Sequence, residues 1–233
     1  IDLDAARKRH VRVTYTPDAL TDDVADLAIG LMLSALRGIC AGDRFVREGR
    51  WVEKPMPLGR GLKGRRLGIL GLGRIGNAIA NRAEVFGVEV AYHSRTRQEN
   101  ARHRYHASAE ELALNSDILC VCTPGGAQTR HLVDTRVLEA LGKDGYLVNI
   151  ARGSAVDEKA LLVALRSETI AGAALDVFEN EPAIAPAFFD LPNVTLTPHI
   201  GSATSDTRRR MADDVFANVR AFLDDRPLRD VAI

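Results

Sequence analysis

The sequence predicts an α/β protein built on a doubly wound parallel sheet. From residue 66 onward, short apolar segments alternate with helical segments, which is the rhythm of strand–helix–strand units. The apolar segments alternate poorly with polar residues, as expected for parallel strands that are covered on both faces. The first of them runs directly into a glycine-rich stretch, GLGRIG at 71–76, and then into an apolar-periodic segment. Together, these three observations predict this fold class.

The predicted strands are short and mostly bounded by Gly, Asp, Asn or Pro: 66–70, 88–92, 117–122, 145–150, 170–175 and 193–197. The predicted helices lie between and after them: 75–86, 109–114, 134–141, 157–167 and about 204–223. Asp157 is a suitable N-cap for the fourth of these helices, and Pro227 stops the last segment.

The residues before the sheet predict three further features. Residues 1–16 suggest the end of a helix and then a strand at Val11–Tyr15. Thr21 is a good N-cap for a helix that is apolar almost all round, so we expect this helix to be buried against another domain or subunit. Residues 38–62 are rich in Gly and Pro and are predicted to be irregular, and a loop of this length is usually functional or reaches a partner.

Composition narrows the class of protein. The chain has 233 residues, with 46% hydrophobic and 27% charged residues and zero net charge, which is typical of a globular protein without a nucleic-acid or membrane partner. No apolar run reaches the ~18 residues of a spanning helix, and no signal peptide is predicted. Three cysteines do not make a disulfide framework, and Cys120 and Cys122 lack a second Cys/His cluster, so no metal site is predicted. A reducing cytoplasm is the expected compartment.

The glycine-rich stretch predicts a dinucleotide site. Gly71 permits a tight turn, Gly73 lets a pyrophosphate approach the backbone, and Gly76 lets the helix pack closely on the strand. The free N–H groups and the positive end of the helix dipole would then face the phosphates. A glycine pattern alone also fits an ordinary turn, but the strand before it and the helix after it favour a nucleotide site.

The end of the second predicted strand indicates which dinucleotide. NAD-binding sites have an acidic residue about 20 positions past the glycines, which accepts hydrogen bonds from the ribose. Here the run is His93-Ser94-Arg95-Thr96-Arg97, without a carboxylate. Ser94 can donate a hydrogen bond, and Arg95 can bind a phosphate through two N–H groups. A solvated basic face is the alternative. We predict NADP(H), with NAD(H) possible.

Three chemically complementary residues follow later strands. Arg152 comes after strand 145–150, Glu181 after strand 170–175, and His199 after strand 193–197. Ligands of open α/β sheets bind at the carboxyl ends of the strands, so all three are expected on the same rim as the glycines. The arginine can hold a carboxylate, the histidine can donate a proton, and the glutamate can stabilise the imidazolium. Each type alone is mostly a surface or capping residue; together they predict an active site.

Five segments carry a resemblance to a known family: GILGLGRIG at 68–76, CTPGGAQTRHLV at 122–133, LVNIARGSAVDEKAL at 147–161, AALDVFENEP at 173–182 and TPHIGSAT at 197–204. The chain resembles the D-isomer-specific 2-hydroxyacid dehydrogenases, and within them the NADPH-dependent glyoxylate/hydroxypyruvate reductases, over nearly its whole length. The resemblance implies a Rossmann-type NAD(P)-binding domain. It also implies reduction of a small 2-keto acid to the D-2-hydroxy acid by hydride from NADPH.

The resemblance also implies roles for individual residues. Arg152 binds the substrate carboxylate and carbonyl, Glu181 pairs with His199, and His199 is the acid–base residue. Cofactor contacts fall to the glycine turn with its neighbours and to residues at the strand ends: Gly71, Gly73, Arg74, Ile75, Gly76, Ser94, Arg95, Thr96, Thr123, Pro124, Ala151, Asp176 and Gly201. Among these, Asp176 is expected to contact the nicotinamide amide. Ser202 is a further substrate candidate.

Oligomeric state and domain organisation follow from the same resemblance. A homodimer is implied, with residues 21–62 as the interface and Trp51 reaching the active site of the neighbouring subunit. Residues 1–17 and 204–233 correspond to pieces of a split flavodoxin-like substrate domain, which flank a dinucleotide-binding domain at 18–203. Family members begin with about a hundred residues of substrate domain. Because the chain starts at Ile1 inside that pattern, we expect it to be a fragment.

A different functional class uses the same scaffold. Transcriptional co-repressors of this fold respond to a dinucleotide by binding partners and dimerising, without turnover as their output. The Arg152, Glu181 and His199 set argues for an enzyme and does not by itself exclude the co-repressor alternative.

Overall fold

A computed structural model describes residues 1–232 and contains one seven-stranded parallel sheet. Its strands are β1 Arg66–Leu70, β2 Glu89–His93, β3 Arg104–Tyr105, β4 Ile118–Val121, β5 Tyr146–Asn149, β6 Gly172–Leu175 and β7 Val194–Leu196. The order across the sheet is β3-β2-β1-β4-β5-β6-β7, so the chain begins in the interior, winds to one edge, and then winds to the other. This is the doubly wound arrangement of dinucleotide-binding folds, and the predicted fold class is confirmed.

Eight α-helices surround the sheet in the described part of the chain: α1 Leu3–Lys8, α2 Thr21–Arg37, α3 Ile39–Arg47, α4 Arg74–Val85, α5 Ala109–Leu114, α6 Thr135–Leu141, α7 Glu158–Arg166 and α8 Ser205–Leu223. Short 3-10 turns cover Arg50–Val52, Ala127–Thr129, Gly153–Ala155 and Pro186–Phe188. The strands and helices predicted from residue 66 onward agree with these bounds to within two residues. The two-residue strand β3 was not predicted, since it is too short to show a pattern.

Helices cover both faces of the sheet. On one face, α2 and α4 pack against side chains such as Leu67 and Ile69 of β1. On the other face, α5, α6 and α7 pack against the opposite side of the strands, including Leu70. Alternate residues of each strand therefore enter two separate apolar cores. This double burial explains why the strands are apolar at nearly every position.

Helix α2 is buried, but within its own domain. Its apolar residues pack on α4 and on strands β5, β6 and β7. This apolar face therefore packs inside the domain, and burial of the helix against another domain or subunit stays a prediction. The helix precedes the sheet in sequence, so nothing local indicated that it returns to cover the later strands.

Three local predictions near the amino terminus are wrong. Val11–Tyr15 does not form a strand; Thr14 makes a single antiparallel bridge with Val231. Thr21 is the first residue of α2, and Leu20 occupies the N-cap position without a side-chain hydrogen bond. Residues 38–62 contain α3 and a 3-10 turn, because Gly38 adopts a left-handed conformation (φ 62°) that ends α2 and lets the chain start a new helix.

The first and last segments of the chain lie against each other. Tyr15 N–H donates to Asp230 O at 3.1 Å, and Ala232 N–H donates to Val13 O at 2.8 Å. The division into 1–17, 18–203 and 204–233 remains a prediction. No single helix within residues 1–232 has the length and apolarity to cross a membrane; the bent pair α2–α3 meets those criteria by length and composition only.

Candidate active site

The carboxyl ends of the strands bring the predicted residues to one edge of the sheet. The parallel register aligns Leu70 with both His93 and Val121, and continues through Asn149 to Leu175. The residues that follow these positions therefore emerge side by side. They include the glycine turn, the run from Ser94, Thr123, Ala151 and Asp176, as the sequence predicted.

The three glycines of the turn meet different surroundings. Gly71 has a φ of 95°, and a Cβ there would lie 3.1 Å from the backbone of Cys122. A Cβ on Gly76 would lie 2.4 Å from Gly71 O, so the helix packs directly on the turn. A Cβ on Gly73 would meet no atom within 4 Å. Gly73 is also the N-cap of α4 and makes no side-chain capping bond, which leaves the first N–H groups of the helix available to an anion.

A cleft of about 350 Å³ lies beside this turn. Twelve of the predicted residues line it: Gly73, Arg74, Ile75, Gly76, Thr123, Pro124, Ala151, Arg152, Asp176, His199, Gly201 and Ser202. The hydroxyl of Thr123 is buried and has no hydrogen-bond partner within the described residues. An unpaired buried hydroxyl on the wall, an open Gly73 and a free helix end fit a phosphate-bearing dinucleotide.

His199 and Glu181 form a close pair at the mouth of the cleft. His199 Nδ1 lies 2.6 Å from Glu181 Oε2, and Glu181 Oε1 accepts the Phe178 N–H at 2.9 Å. Burial alone would raise the pKa of Glu181, but these hydrogen bonds and the charges of His199 and Arg152 outweigh it, so the pKa lies below its ordinary value. Glu181 therefore stays an anion that can hold the imidazole ring in one orientation.

Arg152 lies on the wall of the same cleft. Its guanidinium donates to Ala151 O at 2.6 Å, and its backbone carbonyl accepts a hydrogen bond from the Asn149 side chain at 3.1 Å. The side chain crosses the backbone of Gly125, where an added Cβ would lie 2.9 Å from Arg152 Cγ. Its remaining N–H groups are available to a carboxylate in the cleft.

Asp176 organises the segment that carries His199. Its carboxylate accepts three hydrogen bonds, from Thr197 Oγ1 at 2.7 Å, from Ile200 N–H at 2.8 Å and from Gly201 N–H at 2.9 Å. Its backbone carbonyl accepts the His199 N–H at 2.9 Å. Asp176 is 1% exposed. Sequence reasoning missed this structural role, because the partners lie more than twenty residues further along the chain.

The Ser94-Arg95-Thr96 segment lies next to the glycine turn. Gly71 N–H donates to His93 O at 2.8 Å, which ties the end of β2 to the start of the turn. Ser94 Oγ donates to Thr96 O at 2.8 Å. Arg95 reaches across to Gln128 Oε1 at 2.5 Å, a partner that the sequence did not indicate.

Six predicted residues are not among those that line the cleft: Gly71, Ser94, Arg95, Thr96, Glu181 and Trp51. Arg74 lines the cleft and also pairs with Asp18 at 3.3 Å, in the segment that leads into α2. Trp51 is 69% exposed in the 3-10 turn Arg50–Val52 and does not line the cleft of its own chain. Sequence reasoning also missed the wall contributed by Pro17, Leu20 and Thr21.

Cys120 in β4 and Cys122 just after that strand point to the same side. Their Sγ atoms are 3.7 Å apart, and Cys122 also lines the cleft. The hydrogen bond with Cys120, together with burial, raises the pKa of the Cys122 thiol. Within residues 1–232, no group of three or more His, Cys, Asp or Glu side chains is arranged to hold a metal ion.

Comparison with known proteins gives relatives over nearly the whole chain. Glyoxylate/hydroxypyruvate reductase A of Arabidopsis thaliana is 49% identical over 228 residues, which cover 98% of this chain and 73% of the relative. The 2-ketogluconate reductase of Gluconobacter oxydans is 49% identical over 229 residues, covering 98% of this chain and 74% of that protein. Both relatives are thus longer than the present chain.

A solved structure has the same fold. The NADPH-dependent glyoxylate/hydroxypyruvate reductase of Sinorhizobium meliloti, in complex with NADP and malonate, superposes with a TM-score of 0.95 at 46% identity. The match covers 100% of this chain and 73% of that one. The family model for the NAD-binding domain of the D-isomer specific 2-hydroxyacid dehydrogenases matches residues 29–201. Because the family model and these relatives cover most of the chain, the protein belongs to the D-isomer specific 2-hydroxyacid dehydrogenase family.

Proposed function

We propose that the protein reduces a small 2-keto acid to the D-2-hydroxy acid with NADPH. The observation that carries this proposal is the His199–Glu181 pair, 2.6 Å apart, at the mouth of a cleft that Arg152 and the glycine turn also line. A proton donor, a carboxylate-binding cation and a phosphate-binding turn are the groups that this reaction needs. The co-repressor alternative has no support among the relatives named above, which are reductases.

The dinucleotide supplies the hydride when it is bound; the protein supplies position and a proton. Glu181 holds His199 through Nδ1, so that Nε2 carries the proton that the developing alkoxide takes. Arg152 orients the acid by its carboxylate and stabilises negative charge on the reacting oxygen. Asp176 keeps the His199 segment in place through its four hydrogen bonds.

The preference for NADPH rests on the end of β2. Arg95 and Ser94 follow β2 beside the glycine turn, and the run from 93 to 97 contains no carboxylate to bind a free ribose hydroxyl. Arg95 is exposed, and its hydrogen bond with the neutral Gln128 side chain can be exchanged for a phosphate. The Sinorhizobium meliloti relative is described as NADPH-dependent. NAD(H) remains the second candidate cofactor.

The proposed substrate is a class of compounds, since the names of the relatives differ at equal identity. Relatives at 49% identity are named for glyoxylate and hydroxypyruvate in one case and for 2-ketogluconate in another. These compounds share a carboxylate next to a carbonyl. That common unit is what Arg152 and His199 can engage, and the rest of the molecule would meet other parts of the cleft.

We further propose a homodimer through residues 21–62 in a reducing compartment such as the cytoplasm. Several apolar side chains of this region are exposed, including Trp51 at 69% and Leu58 at 100%. Exposed apolar groups of this size are typical of an interface. The three cysteines are free, as a reducing compartment would keep them.

The His199→Ala variant tests the proposed chemistry. We expect kcat for hydroxypyruvate or glyoxylate reduction to fall about 10²- to 10⁴-fold, because the proton donor is lost. NADPH affinity, measured by nucleotide fluorescence, is expected to stay unchanged. His10→Ala, at an exposed histidine that does not line the cleft, is the matched control. Normal turnover by His199→Ala would show that the assignment is wrong.

A further inference from the structure

A second histidine–glutamate pair lies behind the first, around the turn from Phe178 to Glu181. His131 Nε2 lies 2.6 Å from Glu179 Oε1, and the Glu179 N–H donates to Glu158 Oε1 at 2.7 Å. The neighbouring Phe178 N–H donates to Glu181 Oε1 at 2.9 Å. Two consecutive N–H groups of this turn are therefore each held by a carboxylate, and one of those carboxylates belongs to the Glu181–His199 pair.

The same peptide is confined from another side. A Cβ on Gly153 would lie 1.9 Å from Phe178 C and 2.3 Å from Glu179 N. The backbone at Gly153 therefore touches the Phe178–Glu179 peptide directly. Since Gly153 follows Arg152, this contact also links the turn to the segment that carries the arginine of the cleft.

Glu158 is an unusual group for such a position. It is 9% exposed, at the first turn of α7, where the N-cap function already belongs to Asp157. Burial raises the pKa of Glu158, and the nearby charges of Glu179 and Glu181 raise it further, while the hydrogen bond from Glu179 N–H opposes them. A buried carboxylate beside two others costs stability, and the hydrogen bond from the Glu179 N–H offsets part of that cost.

Each segment that packs around the Phe178–Glu181 turn contributes charged or titratable groups. Arg130 and His131 approach from the segment after β4, Arg152 from the segment after β5, and Asp157 from the start of α7. His199 approaches from the segment after β7. His131 is the group closest to Glu179, and Arg130 lies 3.8 Å from the same carboxylate oxygen.

We propose that Glu158 and His131 are positioning residues, which hold the Phe178–Glu181 turn so that Glu181 meets His199 in the geometry needed for proton transfer. Neither residue lines the cleft or touches the reacting atoms. Glu158 holds the turn through the Glu179 N–H, and His131 holds it through the Glu179 side chain. This inference rests on the proposed function for its meaning in catalysis, but the geometry it describes can be tested without a substrate.

Four variants separate the hydrogen bond from charge and from general stability. Glu158→Ala removes the acceptor for the Glu179 N–H, whereas Glu158→Gln keeps an acceptor oxygen and removes only the charge. His131→Ala loosens the turn from its solvent side, where a third of the side chain is exposed, so this variant serves if Glu158→Ala does not fold. Glu111→Ala is the matched control, because Glu111 also lies in the first turn of a helix and accepts a backbone N–H, from Ala107 at 2.9 Å, far from the cleft.

The first readout is the NMR signal of the proton between His199 Nδ1 and Glu181, assigned with His199→Gln. We expect Glu158→Ala and His131→Ala to move this signal upfield, because the short hydrogen bond between the imidazole and Glu181 is lengthened. Glu158→Gln is expected to move the signal by clearly less, and Glu111→Ala to leave it in place. An unchanged signal in Glu158→Ala and His131→Ala would overturn the proposal, as would equal shifts in Glu158→Ala and Glu111→Ala.

The second readout is the split between kcat and KM. In Glu158→Ala, we expect kcat to fall about 10- to 100-fold because Glu181 is misplaced, while the KM for NADPH stays unchanged. In Glu158→Gln, most of the lost kcat is expected to be restored. Equal loss in both variants would contradict positioning through the hydrogen bond. If the unmodified protein does not turn over any 2-keto acid, the proposed function fails, while the NMR signal of the proton between His199 and Glu181 still decides whether the turn is held as described.

Discussion

At the scale of single residues, His199 has an unusual backbone. Its φ is 53°, in the left-handed region that few non-glycine residues adopt. Such a conformation persists when the surroundings over-determine it, and here Asp176 does so through the N–H groups of residues 199–201. The imidazole is thereby directed toward Glu181 and the cleft. An uncommon φ at a chemically important side chain is typical of a functional site.

The residue Gly73 offers a direct test of where the dinucleotide binds. Its backbone has φ −85° and ψ −160°, which other residues can adopt, and a Cβ would enter open space on the cleft side. We expect Gly73→Ala to fold normally, with an unchanged melting temperature, and to bind NADPH at least tenfold more weakly in fluorescence titrations, about 1.4 kcal/mol. Wild-type affinity in this variant would place the pyrophosphate elsewhere.

The residue Arg95 tests the preference between the two cofactors. Arg95→Ala removes the bidentate donor proposed for the 2′-phosphate and is expected to reduce kcat/KM with NADPH by about 10- to 100-fold, the equivalent of one or two charge-assisted hydrogen bonds. Efficiency with NADH should change little. Arg97→Ala, two residues further on in the same exposed run, is the control. Equal losses with both cofactors, or with neither, would contradict a phosphate-binding role.

At the scale of helices and strands, the sequence predicted the elements that are stabilised by contacts between residues close together in the chain. The helices that begin at 109, 135 and 158 follow Ser108, Asp134 and Asp157, whose side chains each accept a backbone N–H of the first turn. The elements that sequence reasoning got wrong depend on distant partners. Thr14, in the predicted strand Val11–Tyr15, makes a single bridge to Val231, which comes more than two hundred residues later.

The packing of α4 on the glycine turn gives an expectation at this scale. Gly76→Ala would place a Cβ 2.4 Å from Gly71 O, a backbone atom that cannot turn away, so the helix must move off the turn. We expect this change to lower the free energy of unfolding by about 1–3 kcal/mol, the range for overpacking. Urea unfolding followed by circular dichroism measures it, with Gly73→Ala as the neighbouring control. Equal stability of the two variants would mean that the close contact is absent.

At the scale of the whole molecule, charge rather than core size governs the response to acid. Seven carboxyl groups have a pKa below the ordinary value, because they are held by hydrogen bonds or by arginines: Asp23, Asp43, Glu111, Asp117, Asp134, Asp144 and Glu181. Among the carboxyl groups of the described residues, only Glu158 has a raised pKa. A carboxyl group whose pKa is lowered in the folded protein stabilises the folded state at pH values above its pKa in the unfolded chain, which is 3.8 to 4.5. This stabilisation is lost as the pH falls through the pKa of the folded protein.

Acid unfolding therefore has an expected sign. The free energy of unfolding, from urea titrations at several pH values, should be nearly level between pH 7 and pH 5 and should fall below about pH 4.5 as these carboxylates take up protons. High salt should weaken the dependence, since most of the pairs are exposed and screened. A protein that is equally stable at pH 3 and pH 7 would contradict this account.

The sequence predicted those residues of the candidate site that directly follow a strand. Arg152 and His199 could be found because parallel strands deliver their following residues to one rim. Gln128, Asp18 and Glu158 could not be found, because each acts through a contact with a residue at least twenty positions away. Contacts between residues so far apart in the chain produce no periodic pattern in the sequence.

The three hydrogen bonds that the Asp176 carboxylate accepts bear on how the protein loses activity when it is heated. They fasten the segment from Thr197 to Gly201 to the end of β6, a strand flanked on both sides within the sheet. Surface loops of many enzymes melt locally before the fold is lost. Here the proposed proton donor is attached to an interior strand of the sheet, so we expect thermal inactivation and global unfolding to coincide in parallel activity and circular dichroism melts.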